Sequence, residues 1–319
     1  MKLITPSPEV AFAALGALKS VALIDGDAHE LEQRFFDSVQ EHILGTSLDF
    51  ASVELVAPSE LAKRITDHEI RERVLSACIV MALIDSDLDP AEGALLEEIA
   101  RALELSSYAL RDVQRMLNKS FLLARIDVAR RSFLGQRGRA YIAEHGVVGV
   151  ARTARSLLGI ENKTLAARYQ ALEHNPRGTL GREYFEFVRQ NSFALPGEKG
   201  GAPEVVVFHD CLHVLGGYQT SSVEETQIAS FQAGMLEKDP IFGLLFMLAQ
   251  FHIGVQITPI TAAEKGVAVP ELMMAAFVRG TQVNRDMCVD WIPQHDFDRT
   301  LTELRAAYNI KPREQPVAA

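Results

Sequence analysis

Three cysteines in 319 residues, Cys78, Cys211 and Cys288, have no paired spacing. That excludes a disulfide framework and suits reduced thiols in a cytosol. Basic charge is scarce too: 32 Lys and Arg against 42 Asp and Glu leave a formal net charge of −10, which excludes nonspecific nucleic-acid binding as a working mode. No alternating apolar–polar run persists for more than a few residues, so a sheet architecture is not expected. The opening MKLITPSPEV has neither the charged and apolar regions of a secretory signal nor the Arg-rich character of a transit peptide, and a bacterial cytoplasm is the expected address. The longest apolar stretch, IFGLLFMLAQFHIGVQIT at residues 241–258, is interrupted by Gln250, His252 and Gln256. Its unbroken part falls short of the ~20 residues a membrane span needs, so a buried helix is expected. What remains, 48% hydrophobic and 23% charged residues, is ordinary for a folded protein, and the length suits two domains.

A repeat is present at a spacing of sixty residues. ALIDGD at 22–27 recurs as ALIDSD at 82–87, and Glu32 and Glu92 each follow seven residues after Asp25 and Asp85. In the second copy Leu75, Ile79 and Leu83 precede the acidic turn and Leu95, Leu96 and Ile99 follow it, at helical spacing. Each turn therefore joins two helices, and residues 8–118 are expected to pack as an antiparallel bundle able to fold alone. Asp85, Asp87 and Asp89 alternate as in an EF-hand loop, but Pro90 and Leu96 occupy the positions that need Gly and Glu. Helix capping, with Pro90 and Glu92 in the first turn, is the preferred reading. Whether Asp25, Asp27, Asp85 and Asp87 bind metal stays open. The repeat resembles the TerB-like domain of tellurite-resistance proteins, an all-helical unit with paired acidic helix-turn motifs, although Ser86 stands where the first copy has Gly26.

Residues 119–164 form a transition, in the middle of which Arg125, Arg130, Arg131, Arg137, Arg139, Arg152 and Arg155 face only Asp127 and Glu144. Such a segment reads either as a solvated linker face or as a basic amphipathic surface for anionic lipid. From residue 165 onward, helices are expected at 165–173, 181–190, 205–215, 223–237, 242–256, 270–284 and 298–308, with VVVF at 205–208 opening its helix rather than forming a strand.

The chemistry concentrates in F-H-D-C-L-H-V-L-G-G at 208–217. His209 and His213, four apart, project from one helix face, and Asp210 borders it. Gly216 and Gly217 end that helix. Glu225 then falls in the first turn of the next helix, where it can fold back as a fourth ligand. Two imidazoles and two carboxylates suit a divalent metal, zinc first, with iron or manganese as alternatives. Each residue has a plainer role available: a satisfied core histidine pair, a counter-charge, or a capping box between Ser222 and Glu225. A thermolysin-type peptidase would need Glu where Asp210 stands.

H-D-x-x-H followed after eleven residues by Glu resembles the signature of the fourth-protein (Coq-four) family of coenzyme Q, or ubiquinone, biosynthesis. NPRGTLGREYFEFV at 175–188 is similar to that family's P-x-G-T-L-G-x-x-Y segment, and D-W…T-L-T-E-L-R-A-A-Y-N-I at 290–310 to its terminal segment. The resemblance covers about residues 165–312 and implies that His209, Asp210, His213 and Glu225 are metal ligands and catalytic residues. It implies a helical, often dimeric protein in peripheral contact with a membrane, binding a prenylated quinone precursor beside other quinone-biosynthesis proteins. Two functions follow from it. One is oxidative decarboxylation, replacing the carboxyl at ring carbon one with hydroxyl. The other is a lipid-binding scaffold with a structural metal. The expected architecture is all-α: a TerB-like bundle at 1–118, a basic helical linker at 119–164, and a Coq-four-like metal-binding domain at 165–319.

Overall fold

The computed structural model describes residues 3–87, 89–258 and 261–313; Leu88, in the second acidic turn, lies outside them. Among the described residues there are fifteen α-helices and no strand. The N-terminal bundle comprises α1 (Pro8–Ala22), α2 (Glu30–Val39), α3 (Pro58–Arg64), α4 (His68–Met81), α5 (Pro90–Ala102) and α6 (Tyr108–Leu117). The Arg-rich pair α7 (Phe121–Arg131) and α8 (Phe133–Leu157) follows. The C-terminal part contains α9 (Lys163–Gln170), α10 (Leu180–Gln190), α11 (Val207–Gly216), α12 (Ser222–Met235), α13 (Ile241–Phe251), α14 (Pro270–Thr281) and α15 (Leu301–Ala307). No helix among the described residues is long and apolar enough to cross a membrane.

Both acidic turns join helices, α1 to α2 and α4 to α5. Asp89 caps α5 by accepting from the Ala91 amide at 2.6 Å, with Pro90 in the first turn. Asp85 closes its own turn by accepting from the Asp87 amide at 2.9 Å. In the first copy His29 takes the cap and shares a capping box with Glu32. Glu32 and Glu92 are each only 4% exposed. Burial, reinforced by the charges of Asp85 and Asp25, pushes Glu32 up to about 7 and Glu92 up to about 9.

The three sequence regions mark changes of character rather than separate cores, because one apolar cluster runs through all of them. Polar ties cross the same boundary. Arg34 on α2 makes a two-pronged contact with Glu271 on α14, at 2.7 and 2.8 Å. His252, fully buried, bonds through Nε2 to the Ile84 carbonyl at 2.7 Å and accepts from the Ala268 amide at 3.1 Å. A cavity of about 640 Å³ lies between α1, α2 and α4 on one side and α13 and α14 on the other, with Val10, Leu18, Phe35, Val74, Phe242 and Phe277 in its wall.

The helix expected over 242–256 stops at Phe251. Gln250 uses its side-chain oxygen to receive the Ile257 and Thr258 amides at 2.7 and 3.1 Å, so the chain turns out of the helix onto it. The residues that excluded a membrane span are thus the partners of a buried loop. Of the arginines in the transition, Arg130 and Arg131 join Arg115 around Asp127. Arg137 is buried against the Phe208 ring, with one nitrogen on the Val289 carbonyl at 2.9 Å. These three hold structure and leave a smaller basic surface than their number suggests.

Replacing His252 by Ala leaves the Ile84 carbonyl and Ala268 amide buried without partners and should cost about 2–4 kcal/mol, read as a lower denaturant midpoint for the whole chain. Loss confined to one half would show that the two parts unfold separately. The raised Glu32 and Glu92 values give stability that is full below the unfolded value of 4.5 and lost as pH rises through about 7 and about 9. Glu92→Gln should flatten the alkaline part of that decline. An identical Tm–pH curve in the variant would show that Glu92 ionises normally.

Candidate metal centre

The helix α11 is entered through a 3-10 turn at Glu204–Val206, so VVVF opens a helix as expected. It ends at Gly217, whose φ of 75° is a left-handed conformation open to glycine. The next helix, α12, begins at Ser222 after the N-cap Ser221 and has no side-chain capping bond. Glu225 does not close a capping box there; it reaches across to α11.

The His209 and His213 Nε2 atoms lie 3.2 Å apart. Glu225 places Oε2 at 3.4 Å from the first and Oε1 at 3.4 Å from the second. One donor atom from each of the three residues falls within 4.8 Å of the others. Donors bonded at about 2.0–2.1 Å to a tetrahedral zinc ion stand about 3.3–3.4 Å apart, so the donor set fits such an ion in both chemistry and spacing.

The far side of each imidazole is fixed. His213 Nδ1 meets the Tyr218 carbonyl at 3.3 Å, and His209 Nδ1 lies 3.0 Å from the nitrogen and 3.2 Å from the oxygen of the Gln232 side chain. A carbonyl can only accept, so His213 holds its proton on Nδ1 and turns its Nε2 lone pair to the cluster, while the Gln232 amide holds the His209 ring in place. Phe187 stacks on His213 with centroids 5.3 Å apart, and Phe133 lies parallel to His209 at 6.5 Å. The His213 side chain is 1% exposed, against 25% for His209 and 21% for Glu225, so the centre opens on the His209–Glu225 side. Burial opposes charge on Glu225, but hydrogen bonds from both histidines overcome it and hold the carboxyl well below its usual range. Burial likewise works against charge on His209, and the hydrogen bond and charge of Glu225 outweigh it and raise the value.

Asp210, expected as a fourth ligand, does not join the donor group. At about 100° of rotation per residue, His213 lies about 40° from His209 around α11, whereas Asp210 lies about 100° from it. From His213 it lies only about 60°, so Asp210 borders the donor face without standing among the three donors. Asp210 is half-buried, and burial raises its pKa against the opposing charges of His209 and His213; its own charge acts on His209 as well as on Tyr184 and Cys211. Gln232, which orients His209, was not foreseen, although it lies seven residues after Glu225 and hence on the same face of α12.

The other segments singled out in the sequence gather around α11. Tyr184 and Phe187 of α10 flank it, and Arg305 of α15 donates to the Leu215 and Val214 carbonyls at its C-terminal end, at 3.0 and 3.1 Å. The 175–181 turn is itself held by the Phe297 and Arg299 carbonyls, which receive the Gly181 and Leu180 amides at 2.9 Å each.

His213→Ala should abolish stoichiometric binding of zinc while Asp210→Asn retains most of it, measured by metal analysis after dialysis. Gln232→Leu should weaken binding roughly 10–100-fold. Equal loss in the Asp210 and His213 variants would return Asp210 to the ligand set.

Residues 48–115 match the profile of the tellurite resistance protein TerB, a match that covers the second acidic turn and most of the N-terminal bundle. The chain is similar to that family over this segment. No curated protein matches the chain significantly.

Proposed function

We propose that this chain holds a divalent metal ion, zinc first, with His209, His213 and Glu225, and supports an oxidative decarboxylation of a prenylated aromatic acid of ubiquinone biosynthesis, in which the ring carboxyl leaves as carbon dioxide and dioxygen, as the oxidant, supplies the hydroxyl oxygen that takes its place. The observation that carries this reading is the convergence of three donors at 3.2–3.4 Å. Three protein donors are the number typical of catalytic sites, in which a further position takes water or substrate; structural zinc sites usually close with four. A site closed by these three donors alone would leave a position open for substrate, which is the arrangement catalysis needs. When bound, the ion would supply Lewis acidity toward a carboxylate and ring oxygen.

The chain's own residues do the rest. Glu225 contributes the negative charge, the Tyr218 carbonyl sets the His213 tautomer, and Gln232 holds the His209 ring with Nε2 inward. Phe133 and Phe187 wall the centre against water on two sides, and its exposed edge at His209 and Glu225 is the side from which a ring can enter. The resemblance of 175–188, 208–225 and 290–310 to the Coq-four family supports the substrate class, and those three segments pack as one unit around α11. The 640 Å³ cavity is not part of this centre, since none of the three donors lines it. Phe246 of α13 touches Phe133, which lies over His209, while Phe242 one turn earlier lines the cavity. α13 is thus the apolar element nearest to both, and the one against which an isoprenoid tail would lie.

A strain lacking the protein should accumulate a prenylated ring intermediate that retains its carboxyl, read by mass spectrometry of extracted lipids. A folded His209→Ala variant should fail to restore quinone. Full restoration by that variant would replace catalysis with a scaffold role, and an unaltered quinone pool in the deletion strain would remove the pathway assignment.

A further inference from the structure

The second half of α8 exposes a run of bulky apolar residues, as the first turns of α7 do at Leu122, Leu123 and Ile126. Gly146, at φ 58° and ψ −148°, breaks α8 and separates residues 147–157 from the packed first half. Beyond the break Val147, Val148, Val150, Leu157, Leu158 and Ile160 are 45–84% exposed. None of them belongs to the apolar cluster or packs against it. The helix touches the body of the protein with its small residues. Gly149 packs back on Tyr141 and His145 of the first half of α8, and Ser156 donates to the Gly201 carbonyl at 3.0 Å. Its bulky residues therefore face outward, the reverse of a surface helix in a protein with nothing to cover.

Charge identifies what covers it. In a chain of net charge −10, residues 145–160 contain no acid and two arginines, Arg152 and Arg155, both exposed. Neither pairs with a carboxylate among the described residues. Glu204, on the neighbouring 3-10 turn, is occupied by Arg168 and the Tyr169 hydroxyl. A short apolar helix with unpaired arginines and no acids matches the boundary of an anionic bilayer, where valine and leucine enter the acyl region and guanidinium groups meet phosphate. Eleven helical residues extend only about 16 Å, enough to lie on a bilayer and too few to cross one. A second copy fits less well. A two-fold interface sets a patch against itself, bringing the two arginines toward their own copies, and so short a helix falls well below the ~800 Å² per partner of a stable dimer.

We infer that residues 147–160 form a membrane-docking helix that seats the protein on anionic phospholipid. The surface is independent of the metal centre: His213→Ala, which removes a metal donor, should leave docking intact.

The test is co-sedimentation of the full chain with vesicles of phosphatidylcholine alone and of phosphatidylcholine mixed with phosphatidylglycerol. Binding is expected only to the mixed vesicles and should fall as salt rises. Each arginine near the surface contributes roughly fivefold in partitioning, so Arg152→Gln with Arg155→Gln should weaken binding about 25-fold. Val148→Asp with Leu158→Asp should abolish it, with metal content and helical circular dichroism unchanged because both positions are exposed. No binding to the mixed vesicles at low salt overturns the inference. So does a wild-type dimer that the aspartate pair converts to monomer while vesicle binding persists, which would make the helix a self-interface.

Discussion

Two imidazole nitrogens and a carboxylate crowded to within 3.4 Å need positive charge among them, because inward-facing lone pairs repel when water is excluded. A proton shared through His209 meets the need in part, and the raised His209 and lowered Glu225 values express that. A divalent cation meets it more fully. The rest of the C-terminal architecture serves this crowding. Arg305 secures the end of α11, α10 walls it, and α12 brings in both Glu225 and Gln232 from one face.

Electrostatics at the other end of the molecule run the opposite way. Around the acidic turns, Glu32 and Glu92 are buried within reach of Asp25 and Asp85 with no arginine or lysine among the causes of their shifts, and both are driven toward the neutral form. The two ends thus solve the same problem, buried carboxylates, by different means: counter-charge at Glu225 and proton retention at Glu92. The chain's similarity to TerB covers only the second.

Much of this was legible in the sequence. The sixty-residue repeat located both acidic turns, and the four-residue spacing of His209 and His213 placed two donors on one face. Glu225 was marked by its place in the first turn of the following helix and by the resemblance, although a capping box with Ser222 offered it another role. Asp210 borders the donor face without standing among the three donors, because one step along a helix turns a short side chain partly away. The shared core was not legible at all. It depends on His252 and Gln250, whose polarity looks like a flaw in an apolar helix until Ile84, Ala268 and Ile257 are in place to bond with them. Periodicity describes a helix on its own, and these residues answer to partners distant in sequence.

The crossing of α12 and α14 carries no side-chain cushion. A Cβ at Gly234 would lie 2.1 Å from the Phe277 carbonyl oxygen, and one at Gly280 would lie 2.1 Å from that of Phe231, so the two backbones rest directly on each other. Side chains can change rotamer to absorb a shift, but two backbones in contact cannot. α14 is anchored at its first turn, through Glu271, to Arg34 of the N-terminal bundle, and α12 carries Glu225. The molecule therefore contains a stiff linkage from α2 through α14 to the carboxylate of the candidate metal centre, and a tilt imposed at one end arrives at the other with little damping.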